Sequence, residues 1–193
     1  MSVIRAFIAI DLSPEIQKRL DDVLKNYQAQ LPNISIRWVA ASNIHLTLKF
    51  LGDVSLSNLN MLTEMIQKEI STHHQFDISV GGSGAFPTLR QPRVVWVGVE
   101  APPELTTIQN GIEMTTARLG YSREERAFSP HLTLGRVSRN ATSQDVKAIS
   151  KTLETTRIGF LGAACVEQVH LYRSDLQPTG ALYTQIFSSS LIK

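Results

Sequence analysis

Residues 4–12 form an almost continuous apolar, β-branched run, the pattern of a strand buried on both faces. Ser13-Pro14-Glu15 then marks a helix start, with Ser at the N-cap and Pro in the first helical position. Ile16, Leu20, Val23, Leu24 and Tyr27 follow at helical spacing, and Pro32 sets the stop near Gln30. The chain next predicts strands over 34–39 and 44–51 and a helix over 56–71 carrying Leu59, Leu62, Met65, Ile66 and Ile70. Strands over 76–80 and 93–99 flank a Gly/Pro-rich connection in which Gly81-Gly82-Ser83-Gly84 reads as a turn, and a third helix covers 103–119. Strands over 129–137, 159–164, 167–173 and 183–187 enclose a fourth helix over 143–153. The order lacks a regular βαβ alternation and a Gly-x-Gly-x-x-Gly. It therefore favours an α+β fold with antiparallel sheets over a doubly wound parallel sheet.

The halves of the chain share one feature. His-Leu-Thr-Leu occurs at His45-Leu46-Thr47-Leu48 and again at His131-Leu132-Thr133-Leu134, 86 positions later (131 − 45). On a strand, positions i and i+2 face the same way, so each copy presents an imidazole and a hydroxyl on one face and two leucines on the other. One such strand is commonplace. Two at comparable places predict a single domain over 1–193 in which two lobes share one cleft.

Composition narrows the chemistry. Nineteen Lys+Arg against seventeen Asp+Glu leave a net charge of +2, too little to wrap duplex nucleic acid by bulk electrostatics, while a small or single-stranded anion remains suitable. Cys165 is the sole cysteine, which excludes an internal disulfide or a cysteine-based zinc site and suits a reducing, cytoplasmic setting. The first apolar run is too short to span a membrane and lacks a small-residue cleavage site.

Paired imidazoles with adjacent hydroxyls suit acid–base chemistry on a phosphate. One ring takes a proton from the attacking water while the other protonates the departing oxygen. Their ordinary pKa of about 6.5 allows one neutral and one charged ring near neutrality. Thr47 and Thr133 can donate to the non-bridging oxygens. A two-histidine metal site is disfavoured, because neither motif carries a carboxylate to complete the shell. No metal or cofactor is expected.

The chain resembles the two-histidine phosphoesterases, and within them the bacterial and archaeal RNA 2′,3′-cyclic phosphodiesterases, historically called 2′-5′ RNA ligases. The resemblance rests on Arg5-Ala6-Phe7-Ile8-Ala9-Ile10, Arg37-Trp38-Val39, Asn43 through Gly52, Gly84-Ala85-Phe86-Pro87 and Pro92-Arg93-Val94-Val95-Trp96. It continues through Pro130 to Arg136 and Leu171-Tyr172-Arg173-Ser174, with Gly180 and Tyr183. It implies a bilobal α+β fold, with two mainly antiparallel sheets facing across a central cleft and helices outside, and hydrolysis of 2′,3′-cyclic phosphate RNA ends, or of small cyclic nucleotides, to a 2′-phosphate. His45 would be the proton donor and His131 the proton acceptor, with no membrane and no obligate protein partner. Reversible 2′-5′ ligation and a non-catalytic nucleotide-binding module are the alternatives.

The family pattern also points to Arg136 as a phosphate ligand, although its strand parity is opposite to that of Thr133 unless the strand bends near Gly135. Arg5, Arg37, Lys49, Arg93 and Arg126 are candidate liners of an RNA groove. Phe7, Trp38 and Phe128 are candidate base-stacking rings, with core packing the commoner use. His73-His74 reads as a helix cap and His170 as a structural histidine.

Overall fold

The computed structural model describes residues 2–177 and 180–193. Its elements in chain order are β1 (Val3–Ile10), α1 (Pro14–Gln30), β2 (Ile36–Trp38), β3 (Leu46–Ser55), α2 (Leu59–Ile70), β4 (Phe76–Thr88) and β5 (Gln91–Glu100). After them come α3 (Pro103–Ala117), β6 (His131–Val137), α4 (Ser143–Thr155), β7 (Phe160–Val166), β8 (Gln168–Gln177) and β9 (Gly180–Ser190). The helix starts follow their side chains. The Ser13 hydroxyl accepts from the Ile16 amide at 3.4 Å, and Thr142 and Asp145 exchange bonds in a full capping box. Among the described residues no helix is long and apolar enough to cross a membrane.

All strand pairings are antiparallel, in the order β7-β4-β5-β6-β3-β1-β8-β9, with β2 added to β6. The order is palindromic about the contact between β3 and β6, which carry the two His-Leu-Thr-Leu motifs. The two antiparallel half-sheets expected from the sequence are thus continuous, joined at the single pair Leu46↔Leu132. Each half also lends its late strands to the other. β8, from the second half, pairs with β1, while β4, from the first, pairs with β7. The leucines of both motifs are buried in one core that includes Ile16, Leu20 and Tyr27 of α1, Leu62 and Ile66 of α2, and Leu105 and Ile108 of α3.

The glycine tract departs from expectation. Gly81-Gly82-Ser83-Gly84 lies inside β4 and is not a turn between strands. Gly82, at φ +67°, is the extra residue of a β-bulge, skipped between the pairs Gly81↔Gly98 and Ser83↔Val97. A Cβ on Gly84 would strike the Trp96 indole. Here the glycines admit a bulge and a close-packed ring, a use that composition does not distinguish from a turn.

Candidate functional site

The pair Leu46↔Leu132 fixes the site. Extending that antiparallel register one residue either way sets His45 beside Thr133 and Thr47 beside His131, with the histidines on a diagonal. Both leucines are fully buried on the far face. Thr47, His131 and Thr133 line a cleft of about 1060 Å³, together with Phe50, Phe86 and Arg136. His45 is set back from the cleft wall among aromatic rings. It stacks on Phe7 at 4.6 Å between centroids and meets Tyr183 edge-on at 5.3 Å. His131 meets Phe86 edge-on at 4.9 Å.

A backbone carbonyl orients the His131 ring. His131 Nδ1 lies 2.7 Å from the Ser129 carbonyl, which can only accept, so the neutral ring carries its proton on Nδ1 and leaves Nε2 free as a base. Burial, partly opposed by the Ser129 bond and reinforced by the Arg136 charge, holds the His131 pKa below its usual value. Burial pushes His45 down to about 4, partly offset by the Asp11 carboxylate and by a hydrogen bond to the Asn43 backbone. Asn43 and Ser129 are themselves 86 positions apart (129 − 43). Both imidazoles are therefore neutral near pH 7 in the free protein.

A bulge brings Arg136 onto the site. Trp96 pairs with Thr133 and Val95 with Gly135, so Leu134 is skipped and the parity beyond it is reversed. Leu134 and Gly135 are both turned inward and Arg136 faces the cleft. The first strand repeats this: Ala9 pairs with Thr47 and Ile8 with Lys49, skipping Leu48, so that Phe50 takes the place of Arg136. Phe50 is 65% exposed on the cleft wall, an aromatic face that the sequence reading passed over. Asp11, which accepts from the Tyr172 hydroxyl at 2.7–2.8 Å, was passed over too. Its distance in sequence from either motif hid its place beside His45.

The remaining candidates divide. Phe7 is 3% exposed and supports His45, so its ring offers no open face for a base. Arg126 reaches the cleft but both of its hydrogen-bonding edges go to Glu124, at 3.0 and 2.8 Å, which neutralises it locally. Trp38 stacks at 6.3 Å on Tyr27 and leans over Gly135, where a Cβ would come within 2.9 Å of its ring. Phe128 lines the cleft while packing on the core, and exposed Arg5 pairs across the sheet with Asp53, away from the cleft. Arg37 and Arg93 are exposed at the cleft's edge. His73 bonds Glu69 at 3.1 Å and does not cap the helix carbonyls, and His170 is buried 3.6 Å from Asp11.

Lys49 is not a groove cation. The same bulge turns it inward, where Nζ donates to Glu113 Oε2 at 2.5 Å and to the Ser122 carbonyl at 2.8 Å. Glu113 also accepts the Glu124 amide at 3.2 Å, so the pair moors the segment 121–129 that forms one wall of the cleft. Lys49→Met leaves a buried carboxylate unpaired and is expected to cost about 3–5 kcal/mol in urea unfolding. Lys49→Met with Glu113→Leu should recover part of that loss; a single variant as stable as wild type would deny the pair its structural role.

The fold and site together define a phosphoesterase built from two half-sites. Among the described residues no cluster of three or more His, Cys, Asp or Glu is placed to hold a metal. The sequence model of the LigT-like phosphoesterases matches twice in tandem, over 10–96 and 97–183, and the chain belongs to that family. The chain is 34% identical over 186 residues to the RNA 2′,3′-cyclic phosphodiesterase of Methanothermobacter thermautotrophicus, covering 95% of this chain and 96% of that one. It is 35% identical over 186 residues to the RNA 2′,3′-cyclic phosphodiesterase of Escherichia coli, covering 94% and 93%. The crystal structure of E. coli LigT complexed with 3′-AMP superposes with a TM-score of 0.78 at 30% identity, covering both chains completely.

Proposed function

We propose that the chain is an RNA 2′,3′-cyclic phosphodiesterase, opening the cyclic end to a 2′-phosphate, with His131 as general base and His45 as general acid. The observation that supports the assignment of roles is the charge beside each ring: the Asp11 carboxylate favours a proton on His45, whereas the Arg136 charge disfavours one on His131 and keeps it a base. His131 Nε2 takes a proton from water as its oxygen attacks phosphorus. The bond from phosphorus to the ribose 3′-oxygen breaks on the opposite side, and His45 delivers its proton to that oxygen. Thr47 and Thr133 donate to the non-bridging oxygens, and Arg136 balances their charge. The cyclic phosphate supplies the anion that His45 needs in order to be charged. Phe50 offers its open face to the nucleobase, and the two half-sites act as one unit over 1–193.

A nucleoside 2′,3′-cyclic monophosphate should be opened at full rate in excess chelator, because no step runs through a metal. Activity abolished by chelator and restored by Zn²⁺ would overturn the mechanism.

The pH profile carries a second expectation. In the free enzyme both histidines titrate below pH 6.5, so the alkaline limb of kcat/KM lies below pH 6.5, and the acid limb falls at the lower value, the His45 pKa of about 4. The limbs of kcat lie higher, because the bound phosphate favours imidazolium. Asp11 raises the His45 pKa, so Asp11→Asn should move the acid limb of kcat/KM to lower pH. A limb that stays in place or moves up would remove Asp11 from this role.

A further inference from the structure

The two half-sites follow one pattern, and three matched positions around the histidines break it. Ile10 pairs with Leu46 as Val97 pairs with Leu132, so one step further along Asp11 stands opposite His45 and Gly98 opposite His131. On the next strand out, Phe7 pairs with Tyr172 where Val94 pairs with Phe86, and Ala9 pairs with His170 where Trp96 pairs with Gly84. A carboxylate, a phenol and an imidazole thus attend the first half-site. A glycine, a phenyl ring and a second glycine stand in their places in the other. Neither glycine site has room for a side chain, since a Cβ on Gly98 would come within 2.9 Å of the Gly81 carbonyl and one on Gly84 would strike the Trp96 indole.

The three polar groups of the first half-site are linked. Both Asp11 oxygens accept from the Tyr172 hydroxyl, at 2.8 and 2.7 Å, and His170 Nε2 lies 3.6 Å from Oδ2. His170 is buried, and among the described residues its Nδ1 has no hydrogen-bond partner. The proton of the neutral ring therefore belongs on Nε2, where it faces the carboxylate, and not on Nδ1, where nothing accepts it. Burial disfavours a charge on this ring. That neutrality matters, because a charged His170 would take the carboxylate for itself whereas a neutral one only holds it. Asp11 itself is 46% exposed, so without its two holders the side chain is free to turn to water. The titratable groups around His45 are Asp11 beyond β1, His170 and Tyr172 of β8, Tyr183 of β9 and, on the diagonal, His131 of β6, and Asp11 is the anion among them.

We propose that Tyr172 and His170 are positioning residues that hold the Asp11 carboxylate beside His45, and that this network makes one histidine of a duplicated pair the acid. The proposal rests on the hydrolase reading above. Both residues act through Asp11 and not on the substrate.

The test follows the His45 ring by NMR titration of the free protein, beside kcat/KM against pH for a nucleoside 2′,3′-cyclic monophosphate. Tyr172→Phe installs the residue of the other half-site and keeps the ring stacked on Phe7. It should lower the His45 pKa by roughly 0.5–1 pH unit, part of what a nearby opposite charge is worth. The reacting form has His45 charged, so kcat/KM above the acid limb should fall roughly threefold to tenfold. His170→Leu should act in the same direction, and His170→Gln, which keeps a donor, should lie nearer wild type. In the Asp11→Asn background neither Tyr172→Phe nor His170→Leu should move His45 further, a dependence that a merely structural role would not show. A His45 ring unmoved by Tyr172→Phe or His170→Leu, or moved equally with Asp11→Asn in place, would overturn the network while leaving the hydrolase standing. Shifts that depend on Asp11 in a protein that opens no cyclic phosphate would instead support the network and sink the hydrolase reading.

Discussion

His131→Ala is expected to lower turnover of a cyclic phosphate end by roughly 10²- to 10⁴-fold while leaving the fold intact, the usual worth of a positioned proton transfer. The ring is only half-buried at the start of β6, and it takes no part in the leucine core beneath. His45 should cost as much when its proton is removed. It is packed against Phe7 and Tyr183, so His45→Gln, which keeps bulk in the aromatic box, separates lost chemistry from lost packing better than alanine does. Both rings serve one transition state, so the double variant should lose far less than the product of the single losses. Steady-state kinetics with folding checked by circular dichroism decides the matter: wild-type turnover in either single variant would take that histidine out of the mechanism.

Arg136→Met is expected to lower kcat/KM by roughly 10²- to 10³-fold, on the scale of losing a preorganised donor to developing charge. Thr47→Val and Thr133→Val should each cost about 10- to 10³-fold, since valine keeps the strand and deletes one donor. The Arg136 variant has a second signature. Its charge lowers the His131 pKa, so without it the alkaline limb of kcat/KM should move to higher pH. Unchanged kinetics in Arg136→Met would take this arginine out of the mechanism.

The strands and helices that hold the site could be read from periodicity because their buried faces are regular, as in α1 with Ile16, Leu20, Val23, Leu24 and Tyr27. The half-sites could be read because two identical tetrapeptides are hard to produce by strand propensity alone. What periodicity misjudged lies at irregularities in the sheet. A strand of strict period two sends Arg136 to the wrong face and Lys49 to solvent, whereas the bulges at Leu134 and Leu48 reverse both. Gly135 permits β6 to lie under Ile36 and Trp38, where a side chain would collide. The exchange of β4 and β8 between halves was not legible at all, since pairing between strands distant in sequence leaves no local signal. For the same reason the box of Phe7, Tyr172 and Tyr183 around His45 was hidden, although each residue stood in the resemblance as a separate match.

The regiochemistry of opening tests the central claim most directly. A short RNA ending in a 2′,3′-cyclic phosphate, incubated with the purified protein in excess chelator and resolved by a method that separates 2′- from 3′-monoesters, should yield the 2′-phosphate alone. His131→Ala should give almost none. A 3′-phosphate product, an unopened end, or equal yield from His131→Ala would contradict the account.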